Sequence, residues 1–124
     1  MNRKLKFRVW DKLSKSYIKI TPISKYHHII DLDGNYFNLQ NGSGKDEYVV
    51  EQYTGKCDKN GHEIFEGDIL GLPYDDGMLY ATVSFYENSY VYKYIHDEGF
   101  YYINTVEEHI VVGNINENPE LICI

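Results

Sequence analysis

Basic residues are in short supply. Against 19 Asp and Glu the chain carries 12 Lys and Arg, a formal net charge of −7 over 124 residues. Surfaces that bind nucleic acid broadly use Lys and Arg to neutralise phosphates, so this balance argues against extended contact with DNA or RNA and leaves only a local patch. Cysteine is scarce too. Cys57 and Cys123 stand far apart and form no Cys-x-x-Cys pair. One disulfide is arithmetically available, but charges at Arg3, Lys4, Lys6 and Arg8 break up any apolar leader segment. A reducing cytoplasm with both thiols free is the expectation. No apolar run approaches the roughly 18 residues that cross a bilayer, which argues against a membrane-spanning role. No segment keeps a helical apolar period over three turns, and neither a repeat nor a clear linker interrupts the chain, so a single domain over residues 1–124 is expected.

Tyrosine is abundant. Thirteen Tyr bring the aromatic share to 15%, and Tyr suits half-buried pleated surfaces, where its ring packs and its hydroxyl reaches water. Period-two alternation follows. Leu5, Phe7 and Val9 alternate with Lys4, Lys6 and Arg8, placing the three cations on one side of a strand. Ser16 to Ile20 returns after a polar turn. Tyr26 to Leu32 and Tyr36 to Leu39 flank Asp33-Gly34-Asn35, which tolerates positive φ. Asn41 to Lys45 is the most flexible loop expected. Tyr48 to Tyr53 precedes a turn-rich stretch ending in Asn60-Gly61, the strongest short hairpin signal in the chain. Further strands are expected at His62 to Phe65, Ile69 to Leu72, Leu79 to Phe85, Tyr90 to Ile95, Phe100 to Ile103 and Ile110 to Val112. Thr105 and Glu108 have capping-box spacing and point to one short helical turn. The fold class is mainly β, a small barrel or sandwich of short antiparallel strands with hairpins and at most one or two helical turns.

Few residues are spaced for chemistry. The histidines at 27, 28, 62, 96 and 109 are scattered, and His27 and His28 point to opposite faces if they share a strand. Asp58-Lys59-Asn60-Gly61 and Asp31-Leu32-Asp33-Gly34 put glycine at position four, where a calcium loop needs it at six. Asn41-Gly42-Ser43-Gly44-Lys45 lacks the first glycine of a phosphate loop. No metal and no cofactor is expected. Cys57 and His62 can be neighbours across a hairpin, the one enzyme-like pair in the chain, but no nucleophile elbow accompanies them. Glu63, Glu66 and Asp68 around Gly67 fit a tight turn better than an acid–base pair. Tyr90, Tyr92 and Tyr94 share one strand face, with Tyr101 and Tyr102 on the next strand. These five form the candidate partner interface, against the alternatives of a core layer or a base-stacking platform.

Three blocks resemble the YopX family. The central one holds Tyr53-Thr54-Gly55, Asp58-Lys59-Asn60-Gly61 and Glu63 to Ile69 with its Glu66-Gly67-Asp68 turn; Lys6-Phe7-Arg8 with Trp10-Asp11 resembles the family's opening, and Val112 to Ile115 with Glu117 to Leu121 its ending. Lys56 and Cys57 depart from the pattern, which has an apolar and a basic residue there. The resemblance implies a protein of phages and prophages of Gram-positive bacteria, set in the host cytoplasm, and brings no catalytic residue, cofactor or substrate. Joined to the residue reading, it leads to an expectation: a non-enzymatic accessory protein that binds a protein partner or itself as a homo-oligomer. A β module binding nucleic acid through the Tyr stripe or the Lys4, Lys6, Arg8 row is the alternative, and no membrane association is expected.

Overall fold

Alternating apolar and polar residues produce eleven strands, all paired antiparallel where their registers are defined, in a computed structural model that describes residues 3–123. Helix is confined, among the described residues, to four 3-10 turns of three residues each. No helix among them is long and apolar enough to cross a membrane. The chain forms two compact units: Phe7–Glu51, and a larger one comprising the described residues up to Lys6 and from Gln52 onward.

In the smaller unit, β1 (Phe7–Asp11) pairs with the short β2 (Ser16–Tyr17), Trp10 opposite Tyr17. Asp11 Oδ1 accepts the Leu13 N–H at 2.9 Å, which fixes the turn. β3 (His28–Ile30) and β4 (Tyr36–Asn38) form a second hairpin, closed by Asp31 Oδ1, which accepts N–H groups from Asp33 and Asn35. The expected strand over Tyr26 to Leu32 is shorter because Lys25–His27 coils into a 3-10 turn. The Gly-rich loop after β4 is hydrogen-bonded: Asn38 N–H reaches Ser43 O at 2.7 Å, and the Ser43 and Tyr48 hydroxyls meet at 2.8 Å. Val9, Trp10 and Tyr36 are buried, and Tyr36 packs edge-on against Tyr48. In the same unit buried Glu51 accepts from Arg8 Nε at 2.8 Å and from the Tyr17 hydroxyl at 2.7 Å, with the Arg8 guanidinium 4.9 Å from the Tyr17 ring centre.

β5 (Tyr48–Cys57) starts in this unit and ends in the larger one, where it pairs with β6 (Glu63–Phe65). A five-stranded sheet follows: β7 (Asp68–Tyr74), β8 (Gly77–Tyr86), β9 (Ser89–Tyr94), β10 (Tyr101–Tyr102) and β11 (Ile110–Asn114), in spatial order β10-β9-β8-β7-β11. β7 runs through Pro73, past the end of its pairing with β11 at Gly71, to a position paired with Met78 of β8. Ile64, Leu70, Ala81, Val83, Tyr92 and Val106 make the core, with Tyr94, Ile103 and Val111 packed against it. Burying each large apolar side chain contributes about 1.5–3 kcal/mol. The expected turn at Thr105 forms one step earlier, as a 3-10 turn over Ile103–Thr105. Thr105 Oγ1 donates to Tyr102 O there rather than capping a following helix.

Candidate functional site

The central segment is a device for holding backbone. Asp58 is buried, and its Oδ1 accepts N–H groups from Asn60 and His62 at 2.9 and 2.8 Å. Its Oδ2 accepts the N–H of Val111 at 2.8 Å, from β11. Burial works against the charged carboxylate, but the three N–H bonds outweigh it and hold the group below the ordinary carboxylate range. Gly61, at φ 85°, closes the turn by donating to Asp58 O. Thr54 Oγ1 donates to Ile64 O at 2.8 Å, and the Tyr53 ring packs on Phe65 at 5.7 Å.

The three carboxylates near Gly67 do not converge. Glu63 is bridged by Lys4 at 2.6 Å and Lys6 at 2.7 Å. Glu66 Oε1 accepts the N–H of Gln52, and Asp68 Oδ2 accepts that of Phe65. Gly67 sits at φ 84°, where an L side chain is strained; it donates to Val83 O and accepts from Ile115 N. Turn geometry therefore accounts for these residues. The family-like C-terminal block is built the same way: Asn114 Oδ1 accepts from Asn116 and Glu117, while Asn118 Oδ1 accepts from Asn114 N. A Cβ on Gly113 would lie 2.5 Å from Asn118 Oδ1, so only glycine admits that contact.

Cys57 and His62 face different partners. The exposed thiol lies 3.6 Å from the Tyr53 hydroxyl, whose ionisation is pushed up to about 12 chiefly by that hydrogen bond. The His62 ring turns to Asp58, Nδ1 to Oδ2 3.6 Å. The row of cations is occupied by carboxylates: Lys4 and Lys6 by Glu63, Arg8 by Glu51. No group of three or more His, Cys, Asp or Glu among the described residues could hold a metal ion.

The five candidate interface tyrosines divide. Register places Tyr92 opposite Val83 on the core face, and it is 4% exposed, so this member of the expected interface is a core side chain. Its hydroxyl reaches Thr105 Oγ1 at 2.9 Å. Tyr90 is half-buried opposite Phe85. Tyr101 and Tyr102 alternate, as neighbours on a strand must. Tyr101 pairs with Tyr92 and stacks on it at 5.5 Å, whereas Tyr102 pairs with Val91 on the other face and is 65% exposed. That other face also carries a Tyr86–Phe100 stack at 4.4 Å.

Tyr94 and Tyr101 remain together, and they open onto a groove of about 650 Å³ in the larger unit. β7 and β8 contribute Tyr74, Met78, Leu79 and Tyr80; the turn after β9 contributes Ile95, His96 and Asp97; Leu121 and Cys123 complete the wall. Two hydrogen bonds fix its polar groups. Tyr101 donates to Asp97 Oδ2 at 2.7 Å, and Asp97 Oδ1 accepts the N–H of Gly99 at 2.9 Å. The Gly99 and Tyr101 bonds hold the Asp97 carboxyl below its usual range. Behind Tyr94 lies buried His109, with Tyr94 Oη 2.6 Å from Nε2. Its Nδ1 is 2.9 Å from the Val106 carbonyl, which can only accept, so Nδ1 carries the proton and Tyr94 donates to Nε2. Burial pushes the His109 pKa down, which keeps this ring neutral, and burial raises that of Tyr94. Sequence reasoning missed Asp97, Tyr74 and Tyr80 as groove residues and His109 as the buried partner of Tyr94. Asp97 two residues before Gly99 is an Asx-turn signal, but no local pattern ties Tyr74 to Tyr101.

The profile of the family described as "YopX protein" matches residues 6–123. The crystal structure of protein EF1440 from Enterococcus faecalis is similar with a TM-score of 0.64 at 28% identity, covering 98% of this chain and 100% of that one. No curated protein sequence matches.

Proposed function

The chain belongs to the YopX family, and on that premise we propose that it is a non-enzymatic accessory protein of a phage or prophage, acting in the host cytoplasm by binding another protein through the groove beside Tyr94 and Tyr101. The groove carries the reading. Aromatic and aliphatic walls with a few fixed polar groups are what protein-binding pockets offer, and its tyrosines supply large contact area at low entropic cost. Family kinship supports the phage setting through the resemblance described above.

The nucleic-acid alternative draws less support. Its cations, Lys4, Lys6 and Arg8, are paired with Glu63 and Glu51, and each would have to exchange a carboxylate for a phosphate. The test is comparative capture from phage-infected host lysate, with light scattering alongside. Tyr74→Glu alters an exposed wall residue and Leu79→Glu a half-exposed one, 63% and 37% exposed. A protein retained by the wild type and lost by both variants is the expected result. Retention unchanged by both variants, or a retained species that proves to be nucleic acid, overturns the reading. An unretained partner with a wild-type mass well above 14.6 kDa, reduced by both variants, makes the partner a second copy.

A further inference from the structure

Two polar groups of the groove, Asp97 and Tyr94, keep acceptor capacity beyond the bonds they make. Tyr94 donates its hydroxyl hydrogen to His109 Nε2, so its oxygen keeps its lone pairs. Asp97 Oδ1 and Oδ2 each take one bond, from Gly99 and Tyr101, and a carboxylate oxygen has capacity for a second. Around them stand the rings of Tyr74, Tyr80, Tyr94 and Tyr101, and a tyrosine face attracts a cation. Acidic residues outnumber basic ones in the flanking sequence. Asp75 and Asp76 follow Tyr74 in sequence, Glu98 follows Asp97, and Glu120 precedes Leu121; against these stand Lys93, whose charge acts on Asp97, and His96 in the groove wall. Met78, Leu79 and Ile95 give an aliphatic wall along which a methylene stem can lie.

The chain already contains one complete arrangement of this kind. In the smaller unit the Arg8 guanidinium lies over the Tyr17 ring, and both Arg8 Nε and the Tyr17 hydroxyl donate to Glu51. Tyr101 and Asp97 repeat the tyrosine–carboxylate half of it at the groove.

Resting on the protein-binding reading, we propose that the groove selects an arginine side chain of the partner protein, its stem against Met78 and Leu79 and its guanidinium at Asp97 and the Tyr94 oxygen, stacked on tyrosine. Arginine fits better than lysine because a planar fork can donate to a carboxylate and stack at once.

The test uses the full chain labelled with 15N and four acetylated, amidated nonapeptides of Gly, Ser and Leu that differ in a central Arg, Lys, norleucine or Glu. The Arg peptide is expected to shift the amides of Tyr94, Asp97 and Tyr101 and to bind about tenfold more tightly than the norleucine peptide, with Lys between and Glu weakest. Asp97→Asn keeps an oxygen for the Gly99 N–H; it is expected to abolish the Arg preference and leave the norleucine peptide unchanged. Equal binding of Arg and norleucine, a preference that survives Asp97→Asn, shifts confined to other residues, or no binding of the Arg peptide at millimolar concentration overturns the proposal. The wider reading fails separately: a partner lost from Tyr74→Glu and Leu79→Glu but kept by Asp97→Asn leaves protein binding standing and removes the arginine.

Discussion

One carboxylate at position 58 does the work of several. Asp58 satisfies three backbone N–H groups, two in its own turn and one in β11. Replacing it by Ala leaves those donors without their acceptor, and a buried unsatisfied donor costs about 1–3 kcal/mol. Asp58→Ala is expected to destabilise by about 3 kcal/mol, and Asp58→Asn, which keeps one acceptor oxygen, by roughly half as much. Urea denaturation of the two variants checks the order; equal losses would show that the oxygen Asn keeps contributes nothing of its own. The role was half visible in the sequence. Asp58-Lys59-Asn60-Gly61 announces a turn through local rules. Val111 lies 53 residues away, and no local rule reaches it.

Among the elements, β9 shows why periodicity reads the strand and misses its environment. Tyr90, Tyr92 and Tyr94 do share a face, as period two requires. Whether that face meets solvent or core depends on what lies across the sheet, and the core residues Ile64 and Val106 come from other segments. Adjacent tyrosines consequently differ in cost. Tyr92→Ala removes a core ring and is expected to cost about 3–5 kcal/mol, whereas Tyr101→Ala, 39% exposed on its two-residue strand, is expected to cost about 1 kcal/mol or less. Thermal unfolding of the pair checks this, and comparable losses would place both rings in the core. The mainly antiparallel β architecture was legible throughout, because alternation and turn residues are local. Strand ends were less so: β5 continues four residues beyond Tyr53 to Cys57, since Gly55 at φ 88° lets it bend without breaking off.

At the scale of the whole molecule, two buried groups link protonation to stability. His109 is held neutral, so its pKa in the folded chain lies below the unfolded value of about 6.5. The unfolded chain then binds the proton more readily, and stability falls as pH drops from about 6.5 toward the folded pKa. Asp58 has a depressed carboxyl, so its contribution is present above the unfolded pKa of about 3.9 and is lost as pH falls through the folded value. The windows are separate and can be measured apart. His109→Gln retains a donor for Val106 and an acceptor for Tyr94 and is expected to flatten the dependence between about pH 7 and 5.5, leaving the acid limb in place. A wild-type slope undiminished in that variant would remove His109 as its source. Function was the least legible property at this scale. The groove joins residues from Tyr74 to Cys123, and only the folded chain brings them together.

The bond from Val111 to Asp58, with that from Ile115 to Gly67 O, also orders events during synthesis. A ribosome releases the central turn long before β11. Until that last strand emerges, the carboxylate of Asp58 has no distant backbone to hold and the Gly67 carbonyl no donor from Ile115. The larger unit can therefore complete itself only after β11 has emerged, and until then its central hairpin waits for its clasp.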